Sequence, residues 1–234
     1  MSKSSESLAE SLLLGRLAVG ERERLLPHLQ PVSPSVGEVL FRPDELLSHV
    51  YFPRAAIVSL LTGLTDGNGM EVGLVGKEGF VGISAILGGT ETKVATVQAS
   101  GTAWKLDAEI LRAEFRRQAQ LYEALLRYTH ALMTQISQTV VCNALHPLEG
   151  RLARWLLMYH DRLGRDEFEM TQQFMSQMLG VRRPGLSEVA AKLQDLGLIK
   201  YKRGQIKIVD RQGLEKFACE CYGVIKERFA DLMM

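Results

Sequence analysis

The chain has 234 residues, 46% hydrophobic and 24% charged, so it can form one large domain or two small ones with their own cores. It begins without a long apolar run, and polar residues and a proline break the uncharged stretch 131–148, so we expect neither a signal peptide nor a membrane span. Three cysteines are too few for a secreted disulfide framework and indicate reduced thiols in a cytoplasm.

The first half of the chain changes from helical to β patterning. Leucines in the range 8–29 recur at helical spacing and predict short helices. Nine of the 21 glycines lie between Gly63 and Gly89, and Asp66-Gly67-Asn68-Gly69 predicts a hairpin turn. Many short strands with such turns are typical of a sandwich or jelly-roll barrel. The candidate strands are Glu38–Phe41, His49–Phe52, Ile57–Leu61, Met70–Val75, Val94–Gln98 and Ala103–Leu106.

Helices are predicted after these strands. Asp107 can cap the first of them. Beyond it, side chains recur every three or four positions and form one stripe along a long helix. The stripe either packs on the chain's own barrel or forms a dimer seam, and we favour the seam because the stripe continues for several turns after the barrel ends. Its members are Leu121, Leu125, Tyr128, Leu132, Ile136 and Thr139.

The pair His146-Pro147 ends the long helix, since a proline disfavours helical backbone in the residue before it. We place a domain boundary there. Residues 1–119 are predicted to form a β-roll of the effector-binding type with flanking helices, and residues 120–145 a dimerisation helix and hinge. Residues 146–234 form a third part of helices and a hairpin.

Within the third part, two short helices lie close together. Thr171 can cap a helix from Gln172 to Leu179, which Gly180 ends in a left-handed conformation. Pro184 is tolerated only in a first helical turn, so a second helix begins near it. Its predicted buried face leaves small and charged groups exposed near the N-terminus, which suits a DNA major groove. That buried face is Leu186, Val189, Ala190, Leu193 and Leu196.

Basic residues are concentrated in the same part. The net charge of the chain is only +1, but residues 182–211 contain eight Lys or Arg against three Asp or Glu. Alternating residues from Leu198 to Val209, with Arg203-Gly204 at the turn, predict a basic hairpin. Such a hairpin directly after a helix-turn-helix is a wing, placed to contact phosphates. We therefore interpret residues 146–234 as a winged helix-turn-helix that binds DNA rather than a structural corner.

With these parts in order, the chain resembles the cyclic-AMP receptor protein/FNR (Crp/Fnr) family of bacterial regulators. The resemblance implies an α+β fold with a jelly-roll, cyclic nucleotide-binding-like domain. It also implies a parallel homodimer across the long helix, with paired recognition helices on palindromic double-stranded DNA. The motifs that carry it are Val50-Tyr-Phe-Pro, Val58-Ser-Leu-Leu, Gly79-Phe-Val-Gly82, Met178-Leu-Gly-Val-Arg-Arg183 and Leu196-Gly-Leu-Ile199.

The candidate effector pocket departs from the family pattern. Members that bind cyclic AMP carry a Gly-Glu pair and, further on, an Arg-Ser pair. Here Ile83 follows Gly82, and Lys93-Val94 stand in the Arg-Ser positions. A lysine is a point charge and does not replace the bidentate fork of an arginine. We therefore expect no control by cyclic AMP, and the effector stays unidentified.

No metal or cofactor is expected from the sequence. Iron–sulfur members of the family carry N-terminal cysteines, and this chain has none before Cys142. The five histidines are scattered, so haem is not indicated. Cys219 and Cys221 are either a redox-active pair or half of a metal site, but two ligands do not close a zinc site.

The resemblance also assigns roles in the second short helix. Arg183 matches a base-reading arginine, and Ser187 resembles a serine of the FNR-like members, whereas Pro184 and Glu188 replace other family residues. Arg183 can pair with guanine and Glu188 can accept from cytosine. The full candidate DNA-binding set is Thr171, Gln172, Arg182, Arg183, Pro184, Ser187, Glu188, Lys200, Lys202 and Arg203.

Three functions compete at this point. We favour a dimeric cytoplasmic transcription regulator, with DNA and RNA polymerase as candidate partners and no membrane. The alternative is a small-molecule or redox sensor that acts through protein contacts, against which strong salt dependence of DNA binding would count. An enzyme is not expected, because no paired carboxylates, activated nucleophile or metal cluster occurs at a working spacing.

Overall fold

The computed structural model describes residue 8 and the ranges 10–63 and 69–233. The first half contains α1 (Leu12–Gly15), α2 (Val19–Leu25), β1 (Gln30–Val32), β2 (Val39–Phe41), β3 (His49–Pro53), β4 (Ile57–Gly63), β5 (Gly69–Val75), α3 (Ser84–Leu87), β6 (Val94–Ala99) and β7 (Ala103–Asp107). The second half contains α4 (Ala108–Phe115), α5 (Gln120–Leu145), α6 (Leu148–Leu163), β8 (Glu167–Glu169), α7 (Gln172–Met178), α8 (Arg183–Asp195), β9 (Ile199–Lys202), β10 (Gln205–Ile208), α9 (Arg211–Phe217) and α10 (Cys221–Ala230). None of the described helices is both long and apolar enough to cross a membrane.

The β-roll consists of two antiparallel sheets with strand orders β1-β7-β3 and β2-β6-β4-β5. All six predicted strands are present, and the predicted α+β fold is confirmed. Strand β1 was not predicted, because it is short and contains Pro31, which argues against a strand in the sequence. Gly63 pairs with Gly69 at the end of the β4–β5 hairpin, and the rest of the predicted Asp66–Gly69 turn lies outside the described residues.

Aromatic side chains join the β-roll to the helix that follows it. The ring of Phe80 lies 5.6 Å from that of Phe52 and 5.3 Å from that of Tyr128 on α5, measured between centroids. Asp107 caps α4 as predicted, since its Oδ1 accepts hydrogen bonds from the backbone N–H groups of Glu109 and Ile110. The core of the roll therefore continues into α5.

The stripe expected as a dimer seam lies inside this core, so that prediction is wrong. The side chains of Leu121, Leu125, Tyr128, Leu132 and Thr139 are buried within the single chain, and Ile136 is half-buried. Periodicity identifies an apolar stripe but not what covers it. In this chain the β-roll and the C-terminal helix α10 cover it, as the ring contact between Tyr128 and Phe229 shows.

A buried carboxyl group connects the β-roll to α6. Glu71 on β5 accepts hydrogen bonds from Trp155 Nε1 (2.8 Å) and from the Ser59 hydroxyl. Complete burial raises the pKa of Glu71 to about 7, although these hydrogen bonds and the nearby Arg154 and Arg162 act in the opposite direction. Helix α6 therefore packs directly on the β-roll through a polar contact.

Candidate nucleic-acid interface

Helices α7 and α8 form a helix-turn-helix with the predicted capping residues. Thr171 Oγ1 accepts a hydrogen bond from the Phe174 N–H (3.2 Å), and α7 follows directly. Gly180 has a φ of +62°, in the left-handed region that glycine favours. A Cβ on Gly180 would also meet the side chain of Met70 on β5 at 2.3 Å. The turn of the motif therefore favours glycine for its backbone, and a larger residue would displace the end of the Met70 side chain.

Helix α8 begins at Arg183 with Pro184 in its first turn, as predicted. Four of the five residues expected on its buried face are buried, namely Leu186, Val189, Ala190 and Leu193. The prediction for Leu196 is wrong, because this residue follows the last helical residue and is 54% exposed. Arg183, Pro184 and Glu188 are exposed at the N-terminal half of the helix.

Hydrogen bonds bring several candidate residues together between the two helices. The Ser187 hydroxyl donates to Gln172 Oε1 (2.7 Å), which joins α8 to the start of α7. The Gln172 N–H donates to the Tyr201 hydroxyl (3.2 Å), and the Tyr201 N–H donates to Gln194 Oε1 (2.8 Å). Tyr201 was not among the candidates, because alternation along the hairpin placed it only on an apolar face. Ser187 and Gln172 thus fix each other's side chains at the contact between α8 and the start of α7.

The wing is a three-stranded antiparallel sheet in the order β8-β10-β9. Arg203 and Gly204 at the tip have φ values of +51° and +81°, which match a tight two-residue hairpin turn. The Gly204 carbonyl accepts a hydrogen bond from the Met170 N–H (2.6 Å), just before the Thr171 cap. The wing tip therefore lies beside the N-terminus of α7.

Five exposed cations surround this junction: Arg182, Arg183, Lys200, Lys202 and Arg203, called the basic patch below. None of them forms an ion pair with a carboxylate in the described part of the chain. Some arginines elsewhere are paired with carboxylates, such as Arg24 with Glu114 and Arg162 with Glu78. An uncompensated group of cations on a helix-turn-helix and its wing attracts a polyanion.

Comparisons with known proteins agree with this arrangement. Residues 32–118 match the cyclic nucleotide-binding domain, and residues 150–217 match the Crp-like helix-turn-helix domain. The chain belongs to the Crp/Fnr family. It is similar to the CRP-like cAMP-activated global transcriptional regulator of Mycobacterium tuberculosis, with 23% identity over 202 residues that cover 83% of this chain and 90% of the relative.

Solved structures of Crp/Fnr regulators share the fold. A transcriptional regulator of this family from Eubacterium rectale superposes with a TM-score of 0.70 at 16% identity, covering 89% of this chain and 98% of the other. The c-di-GMP responsive regulator CLP of Xanthomonas campestris superposes with a TM-score of 0.64 at 17% identity, covering 82% and 99%. The chain is thus a Crp-like transcription regulator with a helix-turn-helix DNA-binding domain.

Between the β-roll and α5 lies a cavity of about 120 Å³. Gly82, Ile83 and Lys93 line it as predicted, whereas Val94 begins β6 outside the set of lining residues. Sequence reasoning missed Glu91, a buried carboxylate that also lines the cavity. Glu91 accepts hydrogen bonds from the Ser84 hydroxyl and from the Thr92 and Lys93 N–H groups. The cavity therefore combines one cation with a buried anion.

The structure adds two residues to the cysteine pair of this Crp/Fnr protein. Cys142 and His146 lie with Cys219 and Cys221 in one cluster. The hydrogen bond from the Cys219 thiol, together with the nearby Arg154 guanidinium, lowers the pKa of Cys142 although burial acts in the opposite direction. Sequence reasoning missed the cluster because 77 positions separate Cys142 from Cys219.

Proposed function

We propose that this chain is a homodimeric regulator of the bacterial cytoplasm that binds palindromic double-stranded DNA and is not controlled by cyclic AMP. Helix α8 enters the major groove, where Arg183, Ser187 and Glu188 face base edges. The start of α7, Arg182 and the wing contact phosphates and fix the register of the protein on the duplex.

The basic patch is the observation that carries this proposal. Its five side chains are exposed and have no carboxylate ion pair among the described residues, and they lie at the start of α8 and on the wing. Phosphates that replace solvent around such cations release condensed counterions, which favours binding. The Arg183 side chain at the first turn of α8 has the donors that a guanine requires.

A second, exposed face of α5 supports a homodimer. Met133 is 61% exposed, Val140 is 60% exposed, and Leu126 is exposed one heptad before Met133. Exposed residues at intervals of seven on one long helix are typical of a seam with a second helix. The proposed dimer therefore uses a different face of α5, about 100° around the helix from the stripe that the sequence suggested.

The candidate effector pocket supports the absence of cyclic AMP control. A cyclic phosphate bound near Lys93 would lie close to the buried Glu91 carboxylate, and like charges in a buried site repel. The position that would supply a ribose-binding carboxylate is the apolar Ile83. An effector of lower negative charge fits this cavity better than a nucleotide.

Selection of bound sequences from random duplex DNA, with and without added cyclic AMP, tests this function. We expect a two-fold palindrome with half-sites about one helical turn apart, recovered equally in both arms. No enrichment in either arm would contradict sequence-specific binding without an effector. Enrichment only with cyclic AMP would contradict the proposed independence from that nucleotide.

A further inference from the structure

Four metal-binding side chains meet where the long helix ends. Cys142 lies on the last turn of α5, and His146 follows it four positions later, so both occupy one face of the chain as it leaves the helix. Cys219 and Cys221 lie on either side of Glu220 at the start of α10. Their four ligand atoms all lie within 4.8 Å of one another.

Two of the six distances between ligand atoms are close to those around a single tetrahedral ion, and the other four are within 4.8 Å. Cys142 Sγ is 3.4 Å from Cys219 Sγ, and Cys221 Sγ is 3.5 Å from His146 Nδ1. With zinc–sulfur bonds of about 2.3 Å and zinc–nitrogen bonds of about 2.0 Å, tetrahedral ligand atoms lie about 3.5–3.8 Å apart. The ligands of a cubane iron–sulfur cluster bind four different irons and must lie farther apart. The four atoms therefore suit one ion.

A carboxylate orients the histidine for this role. The Nε2 atom of His146 is 3.2 Å from Glu220 Oε1. Because a carboxylate accepts hydrogen bonds, the ring proton is on Nε2, which donates a hydrogen bond to Glu220. The Nδ1 lone pair then points to the Cys221 sulfur and is free to bind a metal. Metal-binding histidines are commonly held by a carboxylate in this way.

Buried arginines supply the charge that such a site requires. Arg154 is only 2% exposed and has no carboxylate ion pair in the described ranges. Its guanidinium contacts Thr139 Oγ1 (3.5 Å) and Met158 Sδ (3.3 Å) and lies next to Cys142. Three thiolates and a divalent ion carry a net charge of −1, which this cation can balance.

We propose that Cys142, His146, Cys219 and Cys221 bind one zinc ion in a closed tetrahedral Cys3His site. All four positions are occupied by protein ligands, so the ion is structural and has no place for substrate or water. Cys142 and Cys221 are buried, which shields the ion from competing ligands in solution.

The site connects three segments that are distant in sequence. It joins the end of α5, the break at His146-Pro147 and the start of the C-terminal helix α10. Helix α10 also packs on α5 through Phe229 and Tyr128. Zinc therefore fixes the break that precedes the DNA-binding domain, and its loss should loosen α10 from the long helix.

Metal analysis of the full chain, purified with a thiol reductant and without chelators, tests the proposal. We expect one zinc per chain in the wild type and in His28→Gln, whose histidine is exposed and far from the cluster in sequence. Cys219→Ser and His146→Gln should lose the ion. Cobalt added to stripped wild-type protein should give thiolate charge-transfer and tetrahedral d–d absorption.

A zinc titration of the stripped wild type against a chromophoric chelator keeps the test independent of folding defects in the variants. Circular dichroism first confirms that the stripped protein is folded. Glu220→Ala should bind zinc about 10–100-fold more weakly, because the histidine loses its carboxylate partner. Folded wild-type protein that takes up no zinc, iron with inorganic sulfide in the purified protein, or a Cys142–Cys219 disulfide without metal would each overturn the proposal.

Discussion

Replacing Glu71 with glutamine should stabilise the protein at alkaline pH and change little at acid pH. The carboxyl group is fully buried between β5 and α6, and its pKa is about 7 in the folded protein against an ordinary value of 4.5. Glutamine can keep both contacts, since its oxygen accepts from Trp155 and its amide group donates to Ser59. The substitution therefore removes a titration and leaves the hydrogen bonds.

The sign and size of this change in stability follow from the pKa values of Glu71 in the folded and unfolded protein. Because the folded state binds this proton more tightly, the contribution of Glu71 to stability is complete below about pH 4.5 and is lost as the pH rises through about 7. At about 1.4 kcal/mol for each pH unit, the loss is on the order of 3 kcal/mol. Glutamine cannot ionise and does not incur this loss.

Urea unfolding of Glu71→Gln and the wild type at one protein concentration, from pH 4.5 to pH 8.5, measures the effect. The difference in free energy of unfolding should grow by about 3 kcal/mol in favour of the variant. Glu227→Gln, at an exposed position of α10, is the matched control and should show no such trend. A constant difference, or one that favours the wild type at high pH, would show that Glu71 is ionised in the folded protein and stabilised by Arg154 and Arg162.

Four further substitutions test the interface and the packing behind it. Arg183→Ala should cost about 1–3 kcal/mol of binding and relax selection at one base position; an equal loss on all sequences would make Arg183 a phosphate contact. Lys202→Ala should weaken binding on all duplexes and reduce the magnitude of the salt slope by about 1; an unchanged slope would remove the wing from the interface. Met133→Glu should convert the dimer to a monomer in sedimentation experiments, and a persistent dimer would contradict the proposed seam. Gly180→Ala should lower the midpoint of thermal unfolding by several degrees, because alanine is strained at a φ of +62° and its Cβ displaces the end of the Met70 side chain; an unchanged midpoint would contradict both costs.

Matched controls separate these effects from general damage. Leu46→Glu adds the same charge at another exposed apolar residue and should remain dimeric. Gly164→Ala places a Cβ at a φ of +69° with no neighbour within 4 Å, so it measures the backbone penalty without a clash. Arg165→Ala removes an exposed cation outside the basic patch and should leave base selection unchanged.

Much of the fold could be predicted from the sequence because it depends on the backbone preferences of neighbouring residues. The Thr171 cap, the left-handed Gly180 and Pro184 in a first turn each follow from backbone rules within a few residues. The six predicted strands of the β-roll follow from alternating hydrophobic and polar residues and from the glycines in the turns between them. The short strands β1 and β8 were not predicted.

Contacts between segments that are distant in sequence could not be predicted in this way. The stripe on α5 is equally compatible with a partner helix or with the chain's own β-roll, and only the tertiary packing of residues such as Tyr128 decides. The same applies to the cluster of Cys142 with Cys219, whose members fall on helices far apart along the chain. Charge was easier to interpret, because the basic residues that include Arg182 and Lys200 are concentrated in the single segment 182–211.

The salt dependence of wild-type binding to the selected palindrome tests the central claim most directly. A dimer presents the basic patch twice, so the logarithm of the association constant should fall linearly with the logarithm of salt concentration. We predict a loss of at least ~10³-fold between about 50 and 200 mM salt, with a shallower slope when the patch is reduced by Lys202→Ala. Binding that does not respond to salt, or that responds equally in the wild type and the variant, would contradict the assignment of this surface to DNA.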